Sequence, residues 1–230
     1  MSSDGPEGLL LVDKPAGITS HDVVDMVRRA YGERSVGHLG TLDPFATGLL
    51  LVLVGRATRL STFLEIEPKV YEAVISFGAE TDTDDSTGEV TRSAPPPSEA
   101  DVRAAIVTLT GHIEQVPPAY SAKKVGGKRA YAAARAGEEM ELAPASVVVH
   151  RWDVGRFAGD TLAATITCGG GTYIRALARD LGRLSGSAAH LASLRRTRIG
   201  KFAVADAAPA DALRDSPPPL KRLEVAVAPA

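Results

Sequence analysis

Short runs of apolar residues, spaced as in strands or as in helices, follow one another along this chain. Uninterrupted apolar runs at 8–12 and 49–54 predict buried strands, and alternating apolar and polar positions at 69–78 and 161–168 predict strands with one buried face. In the run 69–78, one face carries Tyr71, Ala73, Ile75 and Phe77. In the run 161–168, one face carries Leu162, Ala164, Ile166 and Cys168. Two further strands are predicted near 146–157 and 194–203.

Helical spacing marks the other elements. Val23, Val27, Ala30 and Tyr31 predict a helix that begins after a capping box of Thr19 and Asp22 and ends at Gly32. Further helices are predicted at 56–65, from Ser98 to Gly111, at 130–135, and from Ile174 to Leu184. The segments 37–48, 82–88 and 94–98 are predicted as loop, turn and spacer, Gly126-Gly127 as a hairpin turn, and the tail after 215 as weakly ordered.

The order of these elements indicates the fold class. Strands and helices mix without strict alternation, which favours an α+β fold with a largely antiparallel sheet. The 230 residues suffice for one large domain or two small ones, and 44% apolar residues allow a proper core. The single cysteine, Cys168, excludes an internal disulfide. No apolar run approaches a membrane span and residues 1–8 lack a secretory pattern, so we expect a cytoplasmic protein.

Charge becomes informative only locally, because the net charge is −2. Acidic residues gather at Glu80, Asp82, Asp84 and Asp85. Two basic clusters lie elsewhere, one made of Lys123, Lys124, Lys128 and Arg129 and the other of Arg195, Arg196, Arg198 and Lys201. Such clusters can steer a polyanion, although solvated protein faces have the same composition.

The glycine-rich segment 37–48, GHLGTLDPFATG, is the strongest candidate for chemistry. Asp43 precedes Pro44, which restricts it towards extended backbone, so that its carboxylate can serve as a nucleophile or a base. A plain Asp-Pro turn is the alternative. No EF-hand, zinc or P-loop spacing occurs, and we expect no metal, no nucleotide and no other cofactor.

Six ordered motifs resemble those of the TruB family of pseudouridine synthases, which includes the dyskerin-type enzymes. They are the segment around Asp43, LLLVDKPAGITSHD, KVYEA, YSAKKVGGKRAYAAARAG, and the pair CGGGTYIRALARDLG and LRRTRIGKF. The resemblance covers nearly the whole chain up to about residue 205. It implies a pseudouridine synthase fold and an isomerase that converts uridine 55 in the T loop of tRNA to pseudouridine, without a cofactor.

The resemblance also implies roles for single residues. Asp43 matches the catalytic aspartate that initiates glycosidic bond cleavage. Tyr71 matches the tyrosine that stacks on the base and assists proton removal from C5. Arg175 matches the arginine that pairs with the aspartate, which would keep the carboxylate ionised. Tyr173 and Leu194 match pocket residues, and Lys14 is expected among the substrate-binding residues.

Each of these residues has an alternative interpretation from the sequence alone. Tyr71 and Leu194 could be core residues, and Arg175 could pair with Asp180 on its own helix. His38 matches the histidine thought to fill the gap left by a flipped base, since a uridine must leave the stack to be reached. A surface histidine is the alternative there.

The basic residues Lys123, Lys124, Lys128 and Arg129 resemble an RNA-gripping insertion at 117–137, and Arg195, Arg196 and Arg198 are expected near the mouth of the cleft. We predict a catalytic domain over 1–205 and a short tail over 206–230 in which the family's PUA-like module is absent or vestigial. We expect a monomer that binds the T stem-loop of tRNA and no membrane. An RNA chaperone, or a synthase for rRNA or mRNA, are the alternatives.

Overall fold

A computed structural model describes residues 5–64, 66–121, 123–125, 128–129 and 140–222. The helices in that part of the chain are α1 Ser20–Tyr31, α2 Glu99–Thr108, α3 Ile174–Leu184 and α4 Ala212–Asp215, with 3-10 helices at Gly55–Leu60 and Val204–Asp206. The strands are β1 Gly8–Lys14, β2 Val36–Leu39, β3 Thr47–Val54, β4 Lys69–Phe77, β5 Ala79–Thr81, β6 Val90–Ser93, β7 Gly111–Gln115, β8 Lys124–Val125, β9 Lys128–Arg129, β10 Ala145–Ala158, β11 Thr161–Cys168, β12 Ala189–Ile199, β13 Phe202–Ala203 and β14 Ala208–Pro209.

The chain divides into two compact units. Unit 1 comprises Met1–Tyr71 and Arg195–Ala230, and unit 2 comprises Glu72–Leu194. The chain passes from one unit to the other within β4 and again within β12. The predicted boundary at residue 205 stays a prediction.

Unit 1 is built on a sheet in the order β14-β1-β3-β12, with β2 also paired to β3 and β13 to β12. Strands β1 and β3 are antiparallel, and β12 joins β3 in parallel with Arg196 opposite Gly48. Successive residues of β1 and β3 enter two different apolar clusters, one containing Leu9 and Leu51 and the other Leu10 and Leu50. Burial on both faces explains why these strands are continuously apolar rather than alternating.

Helix α1 covers one of those clusters. The Thr19 hydroxyl accepts from the Asp22 amide, and the Asp22 carboxylate accepts from the Thr19 amide, which completes the predicted capping box. Gly32 ends the helix in the left-handed conformation. Val23, Val24 and Val27 then pack against the sheet.

Unit 2 contains strands in the order β12-β4-β11-β10-β7 and two separate two-stranded ribbons, β5-β6 and β8-β9. Strands β10 and β11 form a long antiparallel hairpin, and β7 pairs with the other edge of β10. Helix α2 packs against α3. The prediction of an α+β fold with a mostly antiparallel sheet is confirmed.

Several element predictions need correction. Both ends of the predicted loop 37–48 belong to strands, because β2 pairs with β3 over four residues. Where a helix was predicted over 56–65, the described residues form a 3-10 helix that ends at Leu60, and the Thr58 hydroxyl also donates to the Gly55 carbonyl. Strand β7 was not predicted, and β12 begins at Ala189 rather than near 194.

The prediction that the tail after 215 is weakly ordered is wrong as far as Lys221, which pairs with β1. The Lys221 amide donates to the Leu9 carbonyl at 2.8 Å, and the Leu9 amide donates to the Lys221 carbonyl at 3.0 Å.

Pairing of Val125 with Lys128 confirms the hairpin around Gly126-Gly127. The predicted helix 130–135 lies outside the described residues. In the described part of the chain, every helix is too short or too polar to cross a membrane.

Candidate functional site

The loop that carries Asp43 joins the paired strands β2 and β3. Asp43 is partly buried, and its carbonyl accepts from the Ala46 amide at 3.1 Å, which closes a turn around Pro44. The plain Asp-Pro turn, which was the alternative to a catalytic role, is therefore present. It coexists with a carboxylate held on a loop between two strands, so the turn does not argue against a catalytic role.

Two buried side chains of the motif LLLVDKPAGITSHD, Ser20 and Lys14, hold this loop from one side. The Ser20 hydroxyl accepts from the Leu42 amide at 2.9 Å and donates to the Leu42 carbonyl at 3.0 Å. The Lys14 ammonium donates to the carbonyls of Pro15, Ile18 and Pro44 at 2.9, 2.8 and 3.3 Å. The backbone on both sides of Asp43 is thus tied to the segment 14–20.

Lys14 is fully buried, and its three carbonyl partners match the three N–H donors of an ammonium group. Burial lowers its pKa to about 8, the negative charge of Asp43 opposes that shift, and the positive charge of Arg196 adds to it. These contacts place Lys14 behind the loop, where it supports Asp43, rather than at a surface that RNA can reach.

Arg196 holds the loop from the other side. Its guanidinium donates to the carbonyls of Gly40 at 2.7 Å, Thr41 at 3.5 Å and Leu49 at 2.8 Å, and the residue is 1% exposed. Gly40 has φ +69°, and a Cβ there would lie 3.3 Å from the guanidinium. Glycine therefore allows both the left-handed turn and the close approach of Arg196.

His38 lies on β2, one strand residue before the loop. Its Nδ1 atom is buried and has no hydrogen-bond partner among the described residues. Burial lowers the pKa of His38, and the positive charges of Arg196 and His21 lower it further. The ring is consequently neutral at physiological pH, which suits stacking against a base.

Tyr71 and Leu194 are both buried, at 7% exposure each, on β4 and β12. Tyr71 lies on the buried face of its strand together with Ala73, Ile75 and Phe77, as predicted. Burial alone is equally compatible with a core role and with a pocket role, so the pocket assignments of both residues stay predictions.

Arg175 is buried on α3, within unit 2. Its guanidinium donates to the carbonyls of Thr83 at 2.7 Å and Tyr120 at 2.9 Å and lies 3.8 Å from an Asp85 carboxylate oxygen. The alternative partner on the same helix, Asp180, instead accepts from Arg179. The predicted pairing of Arg175 with Asp43 stays a prediction.

Arg175 is the first of three arginines spaced four residues apart on α3. Arg179 donates to Asp84 at 2.9 Å, and Arg183 donates to Glu80 at 2.7 Å. Arg92 also pairs with Glu80. Glu80, Asp84 and Asp85 are therefore the buried counterions of this stripe, and the interpretation of 82–88 as only a polar turn missed the role of the two aspartates.

Tyr173 is the N-cap residue of α3, and its backbone is fixed by one side chain. The Gln115 amide group donates to the Tyr173 carbonyl at 3.1 Å, and its oxygen accepts from the Tyr173 amide at 2.8 Å. A paired contact of this kind sets where the helix begins and hence where Arg175 lies.

The two basic clusters separate into buried and exposed members. Arg196 is buried, which contradicts the expectation that it lies at a cleft mouth. Arg195 forms a two-point ion pair with Asp13 and is partly exposed, so its place at the cleft mouth stays a prediction. Arg198 and Lys201 are exposed. In the other cluster, Lys123 is exposed, and Lys124, Lys128 and Arg129 lie in the β8-β9 hairpin, but their side chains lie outside the described ones.

Sequence reasoning missed Ser20 and the buried acids Glu80, Asp84 and Asp85. It placed Arg196 at the mouth of the cleft rather than against the carbonyls of the loop. The role of the acids could have been predicted, since arginines at four-residue spacing on an otherwise apolar helix need buried partners. Nothing in the local sequence indicates that Ser20, a residue of the first helical turn, reaches the segment around Leu42.

Comparisons with known proteins agree with these motifs. The family model described as TruB family pseudouridylate synthase (N terminal domain) matches residues 28–174, and that of the tRNA pseudouridylate synthase B C-terminal domain matches residues 175–218. The tRNA pseudouridine synthase B of Thermobifida fusca is 52% identical over 217 residues, covering 90% of this chain and 74% of the relative. That of Nocardia farcinica is 49% identical, covering 91% and 71%.

Solved structures show the same fold. A chain in the crystal structure of a Cbf5-Nop10-Gar1 complex superimposes with a TM-score of 0.65 at 30% identity, covering 85% of this chain and 50% of that one. A chain in the structure of an H/ACA RNP bound to a substrate RNA containing 2'-deoxyuridine gives 0.65 at 25% identity. The present chain thus spans about half the length of these two neighbours.

Proposed function

The chain belongs to the TruB family of pseudouridylate synthases, and from that premise we propose that it isomerises uridine 55 in the T loop of tRNA to pseudouridine. Relatives that bear the name tRNA pseudouridine synthase B are about half identical to it over most of its length. The chain is therefore an isomerase that acts on RNA. We predict that it works as a cytoplasmic monomer on the T stem-loop.

The reaction needs no net oxidation or reduction. The bond between uracil N1 and ribose C1′ breaks, a bond between C5 and C1′ forms, the C5 hydrogen leaves as a proton, and N1 gains one. A carboxylate that initiates cleavage and a group near C5 that accepts a proton account for the chemistry. Asp43 takes the first role, and Tyr71 stacks on the base and assists the second.

The observation that carries this proposal is the anchoring of Asp43. Its loop is bonded to Ser20 and Lys14 on one side and to Arg196 on the other, through the carbonyls of residues on both sides of the aspartate. Catalytic groups must be held to within fractions of an ångström, and a simple surface turn has no need of three buried polar anchors.

The remaining residues have supporting roles. Arg175 matches the family's arginine partner of the catalytic aspartate, and we propose the same role for it here. The neutral His38 ring fills the space left by the flipped uridine, and Tyr173 and Leu194 line the base pocket. Lys123 and its basic neighbours in the hairpin contact phosphates.

The test is tritium release from tRNA labelled at uridine C5, with wild type compared with Asp43→Asn. We expect release at the T-loop position and a loss of about 10⁴-fold or more in the variant, the scale on which removal of a catalytic group acts. Binding of tRNA should persist. Asp206→Asn, which removes an exposed carboxylate of the same unit, is the matched control and should release tritium at the wild-type rate.

Other outcomes would redirect the proposal. Tight tRNA binding by the wild type without any tritium release would favour a chaperone role in tRNA folding. Release from rRNA or mRNA but not from tRNA would indicate a different substrate.

A further inference from the structure

We propose that Ser20 and Arg196 are positioning residues that fix the backbone leading into Asp43 and thereby set the rate of isomerisation. The inference rests on the proposed function, because it assumes that Asp43 reacts. Both side chains lie in unit 1 with Asp43, and they act on the three residues that precede it, 40–42.

Ser20 is free to serve the loop because another residue caps its helix. Thr19 supplies the N-cap hydroxyl of α1, so the Ser20 hydroxyl has no capping duty. It is instead 2% exposed and makes both a donated and an accepted bond to Leu42, the residue before Asp43. A single hydroxyl therefore fixes both the amide and the carbonyl of that residue relative to the first turn of α1.

Arg196 supports the same stretch from β12. Each hydrogen bond described for its guanidinium goes to a backbone carbonyl, two of them at Gly40 and Thr41 and one at Leu49 on β3. A buried cation without a carboxylate partner among its described bonds is costly to keep. Its planar guanidinium presents its donors in a fixed fork, and here that fork meets three carbonyls.

Neither side chain can contact the RNA, since both are buried. Their effect on the reaction must pass through the position of Asp43. Displacement of a reacting group by about 1 Å can cost about 100-fold in rate. Loss of either anchor should consequently lower the rate of the chemical step and leave tRNA affinity unchanged.

Ser20→Ala is the decisive variant because it removes one oxygen atom and creates little strain. We expect its single-turnover rate at saturating tRNA to fall about 10- to 100-fold, with the dissociation constant for tRNA within twofold of wild type. Ser187→Ala is the matched control. Ser187 is also fully buried and donates to a backbone carbonyl, that of Pro95, at 2.7 Å, but it lies in unit 2, and its hydroxyl bonds that are described go to Pro95 and Ala188 rather than to the loop. It should lose comparable thermal stability and keep the wild-type rate.

Arg196 provides a second measurement. Arg196→Lys keeps the charge and can reach fewer carbonyls, whereas Arg196→Met loses every donor. We expect the single-turnover rates to rank wild type, Arg196→Lys, Arg196→Met at unchanged affinity. If neither arginine variant folds, Ser20→Ala decides alone.

The outcomes separate this inference from the proposed function. A wild type without activity would overturn the proposed function itself. An active wild type with a Ser20→Ala rate within twofold would overturn the positioning role, as would a loss confined to tRNA affinity or an equal loss of rate in Ser187→Ala.

Discussion

At the scale of single residues, the ionisation of Lys14 links the stability of the loop to pH. Burial lowers its pKa to about 8, so the ammonium loses its proton within the range in which activity can be measured. The neutral amine has only two N–H donors for three carbonyls. The bond to Pro44, next to Asp43, is the longest of the three and the most readily lost.

We therefore expect the single-turnover rate of tritium release to fall as pH rises from 7 to 9, with a midpoint near 8. In Lys14→Arg, whose guanidinium stays charged, this fall should be absent. The free energy of unfolding should instead rise with pH. Since the folded-state pKa is below the unfolded value of 10.5, the unfolded chain binds more protons between pH 8 and 10.5, and stability rises with pH there. A rate independent of pH from 7 to 9 would contradict the assignment.

At the scale of elements, the arginine stripe of α3 depends on acids that are costly to bury. Asp84 lies 2.9 Å from Arg179, yet burial raises its pKa to about 6, and the charges of Arg179 and Arg175 only partly offset this. The salt bridge and the raised pKa are consistent, because desolvation of a carboxylate can exceed the Coulomb gain from its partner.

This predicts how stability depends on pH. A carboxyl group with a raised folded-state pKa favours the fold below its unfolded pKa of 3.8, and that contribution is lost as pH rises through about 6. The free energy of unfolding, measured in urea, should fall between pH 4 and pH 7 by up to about 1.4 kcal/mol for each unit by which the pKa is raised. Asp84→Asn should have a flatter profile, and asparagine tolerates the φ of +59° at this position. Equal slopes for the two proteins would disprove the raised pKa.

At the scale of the whole molecule, a net charge of −2 requires that RNA binding depend on local basic groups. We expect tRNA affinity to fall with salt, with a log-log slope of about 0.7–0.9 per phosphate contacted. Lys123→Gln should reduce the slope by up to about one. The control is Arg103→Gln, which removes an exposed arginine that Glu99 already neutralises, and should leave it unchanged. Affinity independent of salt would exclude phosphate contacts.

Much of the fold was predictable because its determinants are local. The capping box at Thr19, the C-terminal Gly32 and the alternation in β4 and β11 are short-range patterns, and each appears where it was predicted. Strand β7, the true start of β12 and the paired tail were missed. Each depends on a partner far along the chain, such as Lys221 for Leu9, which no local pattern reports.

The sequence by itself determined most of the elements, the α+β class, the family and the loop that carries Asp43, since periodicity, caps and ordered motifs are written in adjacent residues. Only the tertiary structure decided which polar side chains are buried and what they bond. Arg196 reads as part of a basic cluster, yet long-range pairing of β12 with β3 places it against the carbonyls of the loop. The same holds for Ser20 and for the acids that pair with the arginines of α3. Their partners lie tens of residues away, and the energy of a charge depends on the burial that folding imposes.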